Sequence, residues 1–207
     1  MNNITSYNEL LKLIDEKPMK KVLMHSCCAP CSSTCLNVLK KGFIVDIYYS
    51  NSNINSLEEF EKRANEQIRL NKEINNGKVI MDEYKPNDFH NAIKGLEHLG
   101  ERSERCYHCY ELRMRRTCEY AKEHGYDYFT TTLSLSPHKN SDWVNEIGMN
   151  LSLEYQIPFL YSNFKKQNGY QKSIEFSKQY DLYRQDYCGC IYSKIERDQR
   201  KEGKLNE

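Results

Sequence analysis

The sequence has no apolar run that approaches the roughly 20 residues of a membrane-spanning helix. Its first residues lack the basic and then apolar layout of a secretory signal. Basic and acidic residues nearly balance, 30 Lys and Arg against 29 Asp and Glu, so a nucleic-acid partner must be bound by a local patch. There is no internal repeat and no low-complexity linker. These absences predict a cytoplasmic protein without a membrane partner.

Short apolar segments alternate with amphipathic ones along the 207 residues. The predicted strands cover residues 21–25, 43–49, 79–81, 127–131 and 157–161. Helices are predicted between them, the first with a capping box at Ser6 and Glu9. Strands that alternate with helices predict an α/β fold with a single doubly wound, mostly parallel sheet in a Rossmann-like layout. We expect one domain over residues 1–193 and a charged, frayed tail over residues 194–207.

The nine cysteines are too many for simple core filling. An odd number argues against complete disulfide pairing, and a reducing cytosol disfavours disulfides altogether. Seven of the nine fall into three tight groups. The groups are Cys27-Cys28-x-x-Cys31, Cys106-x-x-Cys109 and Cys188-Gly189-Cys190. This clustering predicts metal or redox chemistry, whereas Cys35 and Cys118 are predicted to be packing residues.

The first cysteine group follows a predicted strand and leads into a helix with Pro30 in its first turn. Open α/β sheets bind ligands at the carboxyl ends of their strands, so a metal site is predicted there. A helix N-terminus stabilises negative charge, and lowered thiol pKa values are expected. Cys106 and Cys109 are placed between a polar loop and the next helix, with a spacing that suits zinc and iron–sulfur sites. His25 precedes Cys27 by two residues. A role in the core is at least as good an interpretation of this histidine as a role in metal binding.

Seven sulfurs exceed the four that a cubane cluster usually takes, and two arrangements stay open. In one, four sulfurs hold a 4Fe–4S cluster while Cys188 and Cys190 form a redox-active dithiol. In the other, which we favour, surplus thiolates hold a separate iron beside the cluster. The rival from another class is a structural zinc module that binds RNA or protein. A sulfur-transfer tRNA enzyme would need a nucleotide-binding loop after the first strand, where this chain has cysteines.

At these motifs the sequence resembles the cobalamin-independent epoxyqueuosine reductases of the QueH type. The matching segments are 25–31, 105–109, 129–133, 136–139, 169–170 and 183–190. The resemblance implies reductive removal of the epoxide oxygen from epoxyqueuosine at the wobble position of tRNA, the last step of queuosine synthesis. It also implies a 4Fe–4S cluster with an adjacent iron. Another iron–sulfur tRNA-modifying enzyme is the alternative. An electron donor of the reduced ferredoxin or flavodoxin type is expected.

The resemblance places Cys28, Cys106 and Cys109 at cluster positions. The other four cysteines match positions that are divided among the cluster, the second iron and a redox pair. They are Cys27, Cys31, Cys188 and Cys190. We therefore expect all seven cysteines to bind metal, with the following four in cofactor binding: Cys27, Cys28, Cys106 and Cys109. The expected catalytic residues are Cys31, Cys188, Cys190, His138 and Arg184.

The polar candidates have different expected roles. His138 and Lys139 would donate protons or contact the anticodon backbone, and the planar fork of Arg184 suits a tRNA phosphate. An open-sited iron would polarise the epoxide oxygen while the cluster supplies electrons. Basic segments at residues 165–166 and 194–204 are candidate RNA contacts, although such runs are usually solvated surface.

Overall fold

The computed structural model describes residues 4–161 and 163–203. The strands within those ranges are β1 (Lys21–His25), β2 (Ile44–Tyr49), β3 (Val79–Met81) and β4 (Tyr128–Thr131). The helices are α1 (Tyr7–Asp15), α2 (Ala29–Leu39), α3 (Leu57–Ile74), α4 (Pro86–Ala92), α5 (Glu104–Glu123), α6 (Ser141–Tyr155), α7 (Gly169–Gln179) and α8 (Ile191–Lys201). A short 3-10 turn, Leu133–Leu135, follows β4.

The strands form a parallel sheet in the order β3-β2-β1-β4. β1 pairs with β2 on one side and with β4 on the other. The chain therefore builds the sheet outward from β1 in one direction and then returns to add β4 on the opposite side. This reversal is the topological switch point of a doubly wound fold. The predicted α/β fold is confirmed.

The side chains of β1 alternate between two apolar layers. Val22 and Met24 pack with α1 and α2 on one face of the sheet. Leu23 packs with α5 and α6 on the other face. All three side chains are fully buried, as expected for a central parallel strand that is covered on both faces.

The prediction of a full fifth strand over residues 157–161 is wrong. This segment runs beside β4 and makes a single parallel bridge, between Phe129 and Phe159. The Phe129 N–H donates to the Pro158 carbonyl (3.1 Å), and the Leu160 N–H donates to the Phe129 carbonyl (2.9 Å). Pro158 has no N–H to extend the ladder, which shortens the pairing.

Two helix predictions are also corrected. α5 begins at Glu104, so Cys106 and Cys109 lie on this helix rather than before it. A spacing of three residues on a helix still turns both side chains to one face. The frayed tail predicted for residues 194–207 is wrong as far as Lys201, because α8 continues there and Glu196 pairs with the buried Arg105 (3.1 Å). Residues 204–207 lie outside the described residues.

The short helix α4 was not predicted from the sequence. Within the described ranges, no helix is long and apolar enough to cross a membrane.

Candidate metal and substrate site

The first cysteine group lies where β1 ends and α2 begins. The backbone of Cys28 is extended, and α2 starts directly after it with Pro30 in its first turn, where a missing N–H is tolerated. The Cys27 N–H donates to Oγ1 of Thr132, which follows β4 (3.3 Å). The group therefore occupies the switch point between β1 and β4.

The sulfurs of Cys27, Cys28 and Cys31 lie within 4.8 Å of one another. Those of Cys27 and Cys28 are 3.7 Å apart. All nine cysteines of the chain are free thiols. The three sulfurs of this group line a cavity of about 250 Å³, which we call the first cavity. Its wall also includes Ser136, His138, Lys139, Tyr170, Arg184 and Gln185.

Close packing separates the pKa values of these three thiols. Hydrogen bonds from Cys28 and Cys31 hold the pKa of Cys27 well below its usual range, although burial opposes this. The pKa of Cys28 rises to about 11, and that of Cys31 also rises, because both donate to Cys27 and the loss of solvent opposes their charge. The expected lowering at this helix N-terminus is therefore correct for Cys27 alone. Three adjacent sulfurs cannot all ionise without a further cation.

The other two cysteine groups meet at a second, smaller cavity. It is lined by Cys106 and Cys109 from α5 and by Cys188 and Cys190 from the segment before α8. Burial raises the pKa of Cys109 to about 12 and that of Cys190 to about 11. Cys188 also lines the first cavity. The structure thus brings all seven predicted cysteines to two adjoining cavities, with Cys188 at their junction.

The Cys188–Cys190 segment is held by backbone contacts. Gly189 has φ +126°, a conformation that favours glycine, and its carbonyl accepts from the Asn55 N–H (3.0 Å). The buried Arg63 donates from Nη1 to the Cys188 carbonyl (3.0 Å). Cys190 caps α8, and its Sγ accepts from the backbone N–H of Ser193, the third residue of that helix (3.4 Å).

Two cationic side chains approach the cysteines, and neither has a carboxylate partner within the described ranges. Arg113, one turn beyond Cys109 on α5, is 1% exposed, and its Nη2 donates to Asn51 Oδ1 (2.5 Å). Lys139 lines the first cavity. Burial disfavours the charge of Lys139, but negative charge on nearby cysteines, chiefly Cys27, has the larger effect and raises the pKa of Lys139.

Arg113 and Asn51 were not predicted from the sequence. Their positions could have indicated them, because Arg113 is four residues from Cys109 on a helix and Asn51 closely follows a strand.

The two predicted polar catalytic residues lie at the mouth of the first cavity, and both are exposed. His138 Nδ1 is 3.2 Å from Nη2 of Arg102. Arg184 donates from Nη1 to Ser177 Oγ (3.0 Å). Gln185, which the sequence analysis missed, lines the same cavity, and its buried Oε1 has no hydrogen-bond partner among the described residues.

The remaining cysteines and His25 belong to the core. Cys118 packs in the layer under α5 and α6, and Cys35 packs in the layer under α1 and α2. His25 is fully buried, with Nδ1 2.8 Å from Thr131 Oγ1 and Nε2 3.1 Å from the Ser50 carbonyl. Burial lowers its pKa to about 3, so it is a satisfied neutral histidine.

The donor set fits an iron–sulfur centre. Thiolates are the ligands that such centres take, and all seven converging cysteines are free. Arg113 and Lys139 add positive charge that no carboxylate pairs within the described part of the chain. Metal binding keeps thiols ionised, which would offset those charges.

The fold and the site together define a doubly wound α/β protein with a thiol-lined site at its switch point. The family model described as "Epoxyqueuosine reductase QueH" matches residues 22–196. This chain belongs to that family.

Curated relatives named epoxyqueuosine reductase QueH cover most of the chain. The protein from Streptococcus pyogenes is 39% identical in an alignment of 183 positions that covers 86% of this chain and 72% of that protein. The protein from Staphylococcus aureus is 37% identical in an alignment of 207 positions that covers 94% of this chain and 86% of that protein. The protein from Thermotoga maritima is 34% identical over 187 residues, 88% of this chain and 94% of its own.

The fold is also found among solved structures. An example is the U34-tRNA thiolase NcsA from Methanococcus maripaludis with its 4Fe–4S cluster, with a TM-score of 0.50 and 11% identity. The match covers 94% of this chain and 73% of that chain. At this identity the likeness shows the fold alone.

Proposed function

We propose that this chain is an epoxyqueuosine reductase, an oxidoreductase that removes the epoxide oxygen from epoxyqueuosine in tRNA to give queuosine. Two electrons and two protons convert the epoxide to an alkene, and the oxygen leaves as water. The observation that supports this proposal is the placement of seven free cysteines around two adjoining cavities, one of them at the switch point, in a QueH-family chain. The electrons come from an external donor of the reduced ferredoxin or flavodoxin type.

We assign all seven cysteines to metal binding. Their number exceeds the four of a 4Fe–4S cluster, and their division between two cavities supports a cluster with an additional iron. Cys188, at the junction, is placed to serve both. When bound, the cluster supplies single electrons, and an iron with an open position acts as a Lewis acid.

The first cavity is the proposed place for the modified end of the nucleotide. Its volume of about 250 Å³ lies just under the roughly 300–1,000 Å³ of common small-molecule sites, so it suits part of one nucleoside. The unpartnered Oε1 of Gln185 is a buried acceptor for a substrate hydroxyl. Tyr170, 38% exposed at the wall, offers a face on which an unstacked base can pack. We assign proton donation to His138 and phosphate contact to Arg184.

A groove of about 830 Å³ adjoins this cavity and is the proposed path of the anticodon backbone. The groove and the cavity share His138 and Arg200 among their lining residues. Arg102 and Arg200 form no ion pair within the described residues, whereas Lys201 is paired with Asp186 (2.7 Å). Unpaired arginines beside the cavity suit phosphates on both sides of a splayed nucleotide.

Anaerobic turnover on tRNA that carries epoxyqueuosine, read by nucleoside mass spectrometry, tests the proposed function. We expect conversion to queuosine by the wild-type protein, loss of conversion in Cys28→Ala, and retention in Cys118→Ala, whose cysteine lies in the core. The absence of queuosine from wild-type reactions that contain iron-loaded protein and a strong reductant would contradict the proposal.

A further inference from the structure

Arg113 differs from the other buried arginines in its lack of an acidic partner. Arg63 pairs with Glu59 (2.7 Å), and Arg105 pairs with Glu196 (3.1 Å). Arg113 is more buried than Arg105, forms no ion pair within the described ranges, and has no hydrogen-bond partner there for Nε or Nη1. A buried cation that lacks a counter-charge is strongly disfavoured, so its neighbours must supply negative charge.

The groups near Arg113 that can carry negative charge are cysteine sulfurs. Cys109 lies one helical turn before it on α5. Burial opposes the charge of Arg113, and negative charge on the sulfurs of Cys109, Cys27 and Cys188 would favour it. Those three sulfurs come from three different cysteine groups and line both cavities. The guanidinium is fixed from the other side by Asn51, which is neutral.

We propose that Arg113 is a positioning residue of the metal centre, whose guanidinium holds the thiolates of both cavities in place as their shared counter-charge. This inference rests on the metal binding in the proposed function. A fixed cation stabilises the more negative, reduced state of an iron–sulfur centre, and so Arg113 raises its reduction potential.

The test compares Arg113→Met and Arg113→Lys with Arg116→Met in iron-loaded, anaerobically prepared full-length protein. Arg116 lies on the same helix but pairs with Asp82 (3.0 Å) and Asp88. The measurements are iron per chain, the midpoint potential of the centre, and thermal unfolding of the iron-free protein.

For Arg113→Met we expect either loss of iron or a midpoint potential that is about 59 mV more negative. For one electron, this shift corresponds to a roughly tenfold smaller equilibrium constant for reduction. Arg113→Lys keeps a charge and should recover most of the iron and the potential. Iron-free Arg113→Met should unfold at the same temperature as the iron-free wild type or higher, because an uncompensated buried cation is gone. Arg116→Met should keep iron and potential but unfold earlier, because two carboxylates lose their partner.

Full iron binding by Arg113→Met at an unchanged potential would overturn the inference. A loss of iron-free stability as large as that of Arg116→Met would also overturn it, since Arg113 would then serve only the fold. These measurements do not involve tRNA. Failure of the inference about Arg113 can therefore be distinguished from failure of the wild-type protein to reduce epoxyqueuosine. A wild-type chain that binds no iron would overturn both.

Discussion

Replacing Gly189 with alanine should damage the metal site more than the fold. Gly189 separates two of the seven cysteines and has φ +126°. An added Cβ would lie 3.1 Å from Arg63 Nη1 and 3.2 Å from Ile54 Cγ1. Arg63 cannot move away freely, because it is buried, pairs with Glu59 and holds the Cys188 carbonyl. The Cys188–Cys190 segment must therefore shift.

The magnitude follows from strain and crowding together. Backbone strain of this kind costs on the order of 1–3 kcal/mol, and crowding in a packed environment adds about 1 kcal/mol or more. At roughly 2–4 °C per kcal/mol for a chain of this size, Gly189→Ala should lower Tm by about 4–16 °C. Iron content should fall as well, because the shift displaces sulfurs from both cavities.

Gly125→Ala is the matched control. Gly125 also has positive φ, +69°, but an added Cβ there meets nothing within 4 Å. We expect a loss of roughly 1–2 kcal/mol from the left-handed backbone alone, with full iron content. The assays are thermal unfolding and iron per chain. If Gly189→Ala matched Gly125→Ala in both Tm and iron content, the contacts of Gly189 would not constrain the metal site.

Two further predictions concern turnover and RNA. Cys188→Ser should abolish turnover but leave much of the visible absorbance of the cluster. Cys188 lies at the junction of two cavities, and each cavity keeps three other cysteines in this variant. Unchanged turnover would contradict this prediction. The double variant Arg102→Ala with Arg200→Ala should weaken tRNA binding. The slope of log affinity against log salt concentration should flatten by about 0.7 per lost phosphate contact, because the anticodon loop is single-stranded. Anisotropy across a salt series measures this slope, and an unaltered slope would exclude the groove as the RNA path.

The fold and the cysteine set were predictable because their signals are local. Alternation of short apolar runs with amphipathic segments identifies a doubly wound sheet, and Cys27 and Cys28 follow the run that becomes β1. A segment that follows a central parallel strand must leave the sheet at the carboxyl edge, where open α/β sheets bind ligands. The predicted position of the first cysteine group at the carboxyl end of β1 follows from that placement.

The grouping of the cysteines was not predictable, because it depends on how α5 and α8 pack. Cys106 and Cys109 lie on α5 and meet Cys190 at the start of α8, and neither relation is visible in the spacing. The charged pattern of residues 194–201 suggested a frayed tail, yet Glu196 is held by a buried arginine from α5. The burial of Arg113 could not be predicted either, because it results from tertiary packing.

In the proposed function, three cysteine groups that are distant in sequence bind iron together. Anomalous diffraction at the iron edge from anaerobically grown crystals can show this. Iron peaks should lie within bonding distance of sulfurs in both cavities, close to Cys28 in one and to Cys109 in the other. Peaks elsewhere, or disulfides in place of metal among these seven cysteines, would contradict the claim.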